Sequence, residues 1–527
     1  MRIRKLLRVR FVVYSFTEQE KIMAELTPMM QKYMETKEQY KDCILFYRLG
    51  DFYEMFFDDA IVASKELEIA LTGKSCGLEE RAPMCGIPYH AVETYLARLV
   101  SRGYKVAICE QVEDPKLAKG LVKREVIRVV TPGTNLDVQS LEASKNNYLM
   151  CIAYTSDGIG ISAADVTTGD YYVTEVEDLR KLKDELMKYE PSEIICNEAF
   201  LVSGYDVEDL KSRLHMSVSS LESHMFDDDG CRRILMRHFK VNTLIGLGVE
   251  EFPTGILAAG ALLQYLYDTQ KTDLEHFTHI SPYLTSKYML LDSSTRRNLE
   301  LTETLREKQK RGSLLWVLDK TKTAMGGRLL RNYIEQPLID KEEMEKRLDA
   351  IQELNQDSIS RDEIREYLNP VYDLERLLSK VTYKTAKPRD LIAFRNSLQM
   401  LPPIKTVLAG FQKEELAAIR EEIDGLEDIY QLIDEAIVEE PPISIREGGM
   451  IKDQFDETID HLRAAKHDGK QWLVQLEEED RERTGIKNLK IKKNNVFGYF
   501  FEVTNSYKDL VPEDYIRKQT LANAERY

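Results

Sequence analysis

At about residue 258 the hydrophobic pattern of this chain changes period, and this constrains its fold more than any other feature. Before that point, strand-like runs ("CILFYRL", "FYEMFF", "YKVAICEQV", "EVIRVVTPG") are interleaved with helix-like ones ("DDAIVASKELEIAL", "AVETYLARLVSRG"). That interleaving is the signature of mixed α/β domains. After it, "TGILAAGALLQYLYDTQ", "SSTRRNLELTETL", "LLWVLDKTKTAMGGRLLRNYI", "DKEEMEKRLDAIQELNQ" and "ELAAIREEIDGLEDIYQLIDEAIVEE" carry apolar residues at i, i+3, i+4 spacing. Such a stripe predicts helices. One core cannot serve both patterns, and 527 residues predict three or four domains of about 150 residues each.

Punctuation divides the chain further. Pro132 and Gly133 close the first α/β block. In the second, "YLMCIAYTSDGIGISAADVTTGDYYVTEV" reads as three strands joined by Asp-Gly and Thr-Gly turns, and "DLRKLKDELMKYEPSEIICN" as a helix leading into a strand. That order is typical of ribonuclease H-like folds. "EEPPISIREGG" marks a boundary. Beyond it come a helical stretch with Phe455, Ile459 and Leu462 on one face, a break at "HDGK", a helix through "WLVQLEEEDRERTG" and a strand pair in "NLKIKKNNVFGYFFEVTNS". Helix, strands and a returning helix predict a small α+β insertion at the tip of a long helical hairpin. The expected divisions are an extension of unassigned role at 1–22, a mixed α/β domain at 23–135, a ribonuclease H-like α/β domain at 136–258, a helical part at 259–440, the insertion at 441–511 and the start of a returning helix at 512–527.

Charge and cysteines exclude several classes. The 73 basic and 90 acidic residues give a formal charge of −17, which argues against nonspecific coating of nucleic acid, so any such site must be a local basic patch. Seven widely spaced cysteines with no CxxC pair suggest neither a zinc ribbon nor a disulfide framework, and fit a reducing, cytoplasmic compartment. "MRIRKLLRVRFVVYSF" has an apolar run too short for a signal peptide; an upstream start ahead of Met23 is one reading of it. No stretch approaches the length of a membrane span, and no membrane association is expected.

Several motifs tempt a chemical reading. "TGKS" at 72–75 lacks the first glycine of a P-loop, since Glu68 stands five residues before Gly73; it reads as a loop after a helix. "AMGGR" at 324–328 lacks the lysine and reads as close packing at a helix start. Asp165 and Asp170 invite a metal-dependent nuclease of ribonuclease H-like fold, but their odd separation puts them on opposite faces unless the Thr-Gly turn reverses the chain. His276 and His279 have one-turn spacing without a third ligand, which favours ordinary surface or capping histidines. Lys487, Lys490, Lys492 and Lys493, followed by Asn494, Asn495 and Gly498, suit phosphate oxygens and equally suit a lysine-guarded edge strand.

The stretch "LGDFYEMFFDDA", residues 49–60, poses the sharpest question. In an extended chain Phe52, Glu54 and Phe56 share one face, and Tyr53, Met55 and Phe57 the other. A glutamate beside phenylalanines is costly in a core. An edge presented outward satisfies both, with Phe52 as a wedge and Glu54 hydrogen-bonding beside it, in the manner of apolar wedges inserted between base steps.

The stretches "TPMMQKYMETKEQYKDCILFYRLGDFYEMFFDDA", "MCGIPYHAVETYLARLVSRGYKVAICEQVEDP", "VVTPGT", "GLGVEEFPTGILAAGALLQYLYDTQKT", "GGRLLRNYIEQPL", "TAKPRDL", "RERTGIKNLKIKKN" and "YIRKQTLANAERY" resemble the bacterial MutS family of DNA mismatch-repair proteins, from about Met23 to Tyr527. The resemblance implies that Phe52 stacks on a mispaired base in the minor groove and Glu54 hydrogen-bonds to it. It implies that 23–135 is the mismatch-recognition domain, 136–258 a connector not used as a nuclease, 259–440 the core and lever, and 441–511 a clamp in which Lys490, Lys492, Lys493 and Asn494 grip the DNA backbone. Double-stranded DNA with mismatches or small loops, a homodimer and a MutL-type repair partner are implied, in a bacterial cytoplasm at the nucleoid. Catalytic residues, metal and cofactor are not expected within this chain. The family's ATPase domain, with its P-loop, ATP and Mg2+, follows "NAERY", so the chain is expected to be a fragment. The alternatives are the nuclease and a helical scaffold without a DNA role.

Overall fold

The computed structural model describes residues 26–113, 120–137, 141–212, 214, 216–443, 445–494 and 498–527; the extension at 1–22, and Asn495, lie outside the described residues. Residues up to Tyr430 form one compact unit and Gln431–Tyr527 a second.

The first sheet of the larger unit has the order β3-β4-β2-β1-β5-β6. Its strands are β1 (Cys43–Leu49), β2 (Phe52–Phe56), β3 (Thr72–Lys74), β4 (Ala82–Pro88), β5 (Lys105–Gln111) and β6 (Arg124–Val130). Cys43–Tyr47 of β1 are continuously buried because both faces of the strand are covered there. Helix α1 (Pro28–Gln39) places Met30 and Tyr33 against Leu45, Tyr47 and Phe56 on one side. Helices α2 (Phe57–Leu67) and α3 (Val92–Val100) place Ala63, Leu67, Leu96 and Leu99 against Phe46, Tyr53 and Met55 on the other.

The second sheet comprises β7 (Leu149–Tyr154), β8 (Ile159–Asp165), β9 (Asp170–Val176), β10 (Glu193–Cys196), β11 (Ser217–Ser220) and β12 (Ser281–Pro282), in the order β11-β10-β7-β8-β9-β12. β7, β8 and β9 are an antiparallel meander; β10 then runs parallel to β7 and β11 parallel to β10. Helix α4 (Leu179–Tyr189) supplies the crossover into β10. Against the opposite face lies α5 (Pro253–Gln270), apolar nearly all round and accordingly buried. The boundary expected at 258/259 therefore falls inside a helix that packs on this sheet. The period of α5 is helical, but its partner is the sheet, which no periodicity could reveal.

Most of the described residues from Ser293 to Ala436 outside turns are helical, as the period predicts, yet three stretches are less helical than expected. "LLWVLDKTKTAMGGRLLRNYI" breaks between Leu314–Leu318 and Ala324–Glu335. "SSTRRNLELTETL" is helical only over Ser293–Asn298. "ELAAIREEIDGLEDIYQLIDEAIVEE" breaks between Glu414–Glu422 and Glu427–Ala436, where Gly425 precedes Leu426 at a φ of 48°. "AMGGR" opens the helix Ala324–Glu335, where Thr323 Oγ1 accepts from Gly326 N at 3.0 Å. Arg328 there is buried, forked onto Asp373 at 2.7 Å through each terminal nitrogen, paired with Glu375 at 2.6 Å, and donates to the Ala143 carbonyl at 2.9 Å. Buried Arg376 donates to the carbonyls of Glu142 and Lys145. The two arginines thus clasp the segment that leads into β7.

His276 lies at the same junction. Its Nε2 is 3.1 Å from the Val166 carbonyl, its ring sits 5.2 Å from that of Tyr383, and its Nδ1 is buried without a hydrogen-bond partner. Burial pushes its pKa down to about 4. A base whose folded pKa lies below the unfolded value of about 6.5 contributes stability at higher pH that is lost as pH falls through the interval between the two. Unfolding free energy is therefore expected to decline from pH 6.5 to about 4 by roughly 3 kcal/mol on this account. Denaturant titrations across that range check it, with His276→Gln expected to flatten the decline.

In the smaller unit, α6 (Glu457–Thr484) is one continuous 28-residue helix. The break expected at "HDGK" does not occur: Gly469 lies within the helix, at a cost of only about 1 kcal/mol relative to alanine. The strands β13 (Lys490–Asn494), β14 (Gly498–Thr504), β15 (Gln519–Thr520) and β16 (Ala524–Arg526) form a sheet of order β13-β14-β16-β15. Residues 512–527, expected to begin a returning helix, instead complete this sheet. β16 pairs with β14 through Glu502↔Arg526 and Val503↔Glu525, and Phe501 and Tyr527 exchange two backbone bonds of 2.9 Å.

Candidate nucleic-acid interface

β1 and β2 are joined by the two-residue loop Gly50-Asp51, with Gly50 at a φ of 58°, a conformation that glycine adopts without steric penalty. The loop is held from several sides. Tyr89 N donates to the Asp51 carbonyl at 3.0 Å and Arg48 Nε to the Gly50 carbonyl at 2.5 Å. The Arg48 guanidinium lies 3.9 Å from the Tyr89 ring centroid and pairs with Glu110 at 3.0 Å. Tyr53 donates its hydroxyl proton to the same Glu110.

Phe52, the first residue of β2, is 46% exposed, whereas Tyr53 is 5%, Met55 0% and Phe56 1% exposed. Phe52, Glu54 and Phe56 share a face, but β2 is not an edge strand: β1 pairs with it on one side and β4 on the other. The outward presentation has another cause. Tyr33 of α1 covers the Phe56 end of that face, with ring centroids 4.9 Å apart, while Phe52 at the other end stays open. Phe57, expected on the opposite face with Tyr53 and Met55, instead leaves the strand at a φ of 53° and packs with the Tyr33 cluster.

Glu54 is half-buried, and its Oε2 lies 2.5 Å from Nζ of Lys74. Lys74 belongs to "TGKS", which is strand β3 rather than a loop. Opposite Glu54 on β4 stands Gly86; a Cβ there would lie 3.3 Å from the Tyr53 carbonyl, 3.5 Å from Glu54 Cγ and 3.8 Å from Phe52 Cδ1. Lys74, Gly86 and the Arg48–Glu110–Tyr89 support were missed from sequence. The registers of β2·β4 and β3·β4 bring them to the site, and neither register has a local sequence signal.

In the smaller unit, β13 is an edge strand with Lys490, Lys492 and Lys493 exposed. Lys490, Lys492 and Asn494 share a face. Lys492 pairs with Glu502 at 2.6 Å, and Arg526 reaches the same carboxylate at 3.3 Å; the hydrogen bond from Lys492, reinforced by Arg526, holds the Glu502 carboxyl below its ordinary range. Lys493 turns to the other face, 5.2 Å from the Tyr499 ring centroid. Arg526, which sits 4.7 Å over Phe500, joins the lysine face and was not singled out from sequence.

The candidate nuclease residues are differently placed. The Thr-Gly turn does reverse the chain, and Asp165 and Asp170 stand directly opposite each other. Asn146 Nδ2 donates to both, at 3.0 and 2.9 Å; Asp165 also accepts from Thr167 N and Oγ1 and from Asn147 N, and Asp170 from Thr168 Oγ1. Burial, reinforced by Asp165, raises the Asp170 pKa. Asp165 is fully buried, and its lone pairs are occupied by protein donors. His276 is buried against Val166 while His279 is exposed, so the two do not form a ligand pair. Among the described residues, no group of three or more His, Cys, Asp or Glu side chains could hold a metal ion, and no helix is long and apolar enough to cross a membrane.

Two α/β sheets followed by helices, with an exposed aromatic on a rigid strand and a lysine edge in a separate unit, define a multidomain class that matches known proteins over nearly its whole length. Residues 27–139 match the family model of MutS domain I, 147–280 that of MutS domain II and 294–518 that of MutS domain III. The chain is 65% identical over 505 residues to the DNA mismatch repair protein MutS of Lachnoclostridium phytofermentans, covering 96% of this chain and 54% of the relative. It is 54% identical to that of Ruminiclostridium cellulolyticum and 53% identical to that of Acetivibrio thermocellus, each over 96% of this chain and 58% of the relative. The chain belongs to the MutS family of DNA mismatch-repair proteins. It spans 54–58% of the length of these three relatives.

Proposed function

We propose that this chain binds duplex DNA at mispaired or unpaired bases as the recognition step that initiates mismatch repair. Phe52 enters the minor groove and stacks on the mispaired base, Glu54 hydrogen-bonds beside it, and Lys490, Lys492, Lys493 and Asn494 hold the backbone. The observation that carries this reading is the exposure of Phe52, at 46%, on a strand whose next apolar side chains are buried. A large aromatic left open on a rigid two-sided sheet is suited to insertion, and mispaired steps unstack at lower cost than intact ones. On this reading the 147–280 block is a non-catalytic connector of ribonuclease H-like topology, consistent with Asp165 and Asp170 being consumed by internal donors, and residues 441–527 form the clamp. For longer relatives the family implies a homodimer, a MutL-type repair partner, a nucleoid-associated cytoplasmic protein, and ATP with Mg2+. "TGKS" does not fit a phosphate cradle, because Lys74 is engaged with Glu54 in a sheet.

The test is binding to matched and single-mismatch duplexes over a range of salt. A preference for the mismatch is expected; equal affinity overturns the reading. Lys490→Ala is expected to weaken binding to both duplexes alike and to lower the salt slope by about 1.

A further inference from the structure

We propose that Lys74 is a positioning residue for the wedge: it neutralises Glu54 so that Phe52 and its neighbouring carboxylate approach DNA without net charge. The proposal rests on the reading of Phe52 and Glu54 given above. Glu54 stands two residues from Phe52 on the same face, where it would meet the phosphate-lined groove. An unpaired carboxylate there would face like charge, a juxtaposition that costs several kcal/mol in desolvated interfaces. The 2.5 Å pair with Lys74 removes that charge before binding. It is also held in place: Lys74 is fixed by β3 pairing with Ala82, and its Nζ sits 5.5 Å from the centroid of the buried Phe56 ring.

β4 lies between Lys74 and Glu54 in the sheet, and Gly86, opposite Glu54, leaves the space beside the carboxylate open. Any side chain at 86 would enter that space within contact distance of both Glu54 and Phe52. The lysine, the bare glycine and the glutamate thus form one arrangement across three neighbouring strands. A lysine that merely contacted phosphate would need none of it, because its effect on binding would not depend on Glu54.

That difference is measurable in a double-mutant cycle. Lys74→Met is expected to lower affinity for a mismatched duplex by about tenfold at low salt, with the defect shrinking as salt screens the uncompensated carboxylate. Lys74→Arg is expected to retain most of the affinity. Adding Glu54→Gln to Lys74→Met is expected to recover most of the loss, since the charge needing compensation is then gone. Additive effects of Lys74→Met and Glu54→Gln, or a Lys74→Met variant that binds like the wild type, overturn the proposal. A wild-type chain with no preference for mismatched over matched duplex overturns the functional reading and the proposal with it, whereas preserved preference with an additive cycle removes the proposal alone.

Discussion

Phe52→Ala is expected to bring the affinity for a mismatched duplex down to that for a matched one, while leaving the salt-sensitive binding common to both. Truncation removes the ring and leaves the sheet intact, because Phe52 is the exposed end of a face whose buried residue, Phe56, is held by Tyr33. The stability change should therefore be small. The binding change should be large, because stacking by an inserted ring is what offsets the unstacking of the duplex, a few kcal/mol per step. A loss of roughly 2–3 kcal/mol corresponds to about 30- to 150-fold in discrimination. Competition between mismatched and matched oligonucleotides, read by fluorescence anisotropy, measures the ratio directly, and an unchanged ratio removes Phe52 from the wedge role. Lys490→Ala should change both affinities without changing that ratio, so the two variants separate recognition from grip.

Gly160→Ala is expected to destabilise the second α/β domain by about 3 kcal/mol or more, at the upper end of what overpacking usually costs. A Cβ at position 160 would lie 1.9 Å from the Thr254 carbonyl oxygen, 2.2 Å from its carbon and 2.7 Å from Gly255 N. All three are backbone atoms of the first turn of α5, so no side chain can swing aside. The helix start cannot shift freely either, since Gly255 N is held by Glu175 Oε1 at 2.9 Å. Gly246→Ala is the control: nothing lies within 4 Å of a Cβ there, and a change within about 0.5 kcal/mol is expected. Urea unfolding of the two variants checks the pair, and equal midpoints would show that α5 does not meet β8 as closely as the backbone indicates.

Much of the site was legible in the chain because it depends on local geometry. Period-2 alternation places Phe52 and Glu54 on one face wherever β2 lies in the sheet. For Asp165 and Asp170 the odd separation left two outcomes, opposite faces or a chain reversed by the Thr-Gly turn, and only the folded pairing decides for the turn, which restarts the count on an antiparallel partner. Lys74 stands in the sequence as part of an incomplete P-loop motif; its partner Glu54, 20 residues away, is set by two strand registers. The final strands around "QTLANAERY" were invisible for a related reason. Each has three residues or fewer, β16 ordered by pairing with β14 and β15 by pairing with β16, so neither is long enough to show a period.

The change of hydrophobic period near residue 258, the shared face of Phe52 and Glu54 and the lysine-rich edge at 490–493 are properties of the chain itself, because each follows from spacing between near neighbours. Which residue on a shared face stays open is not such a property. Phe52 and Phe56 have the same side chain on the same strand, yet one is 46% and the other 1% exposed. What separates them is the covering of only one end of β2 by α1, through Tyr33, a contact across 23 residues of sequence. Exposure is the sum of non-local contacts, and only the folded arrangement of helix over sheet decides it.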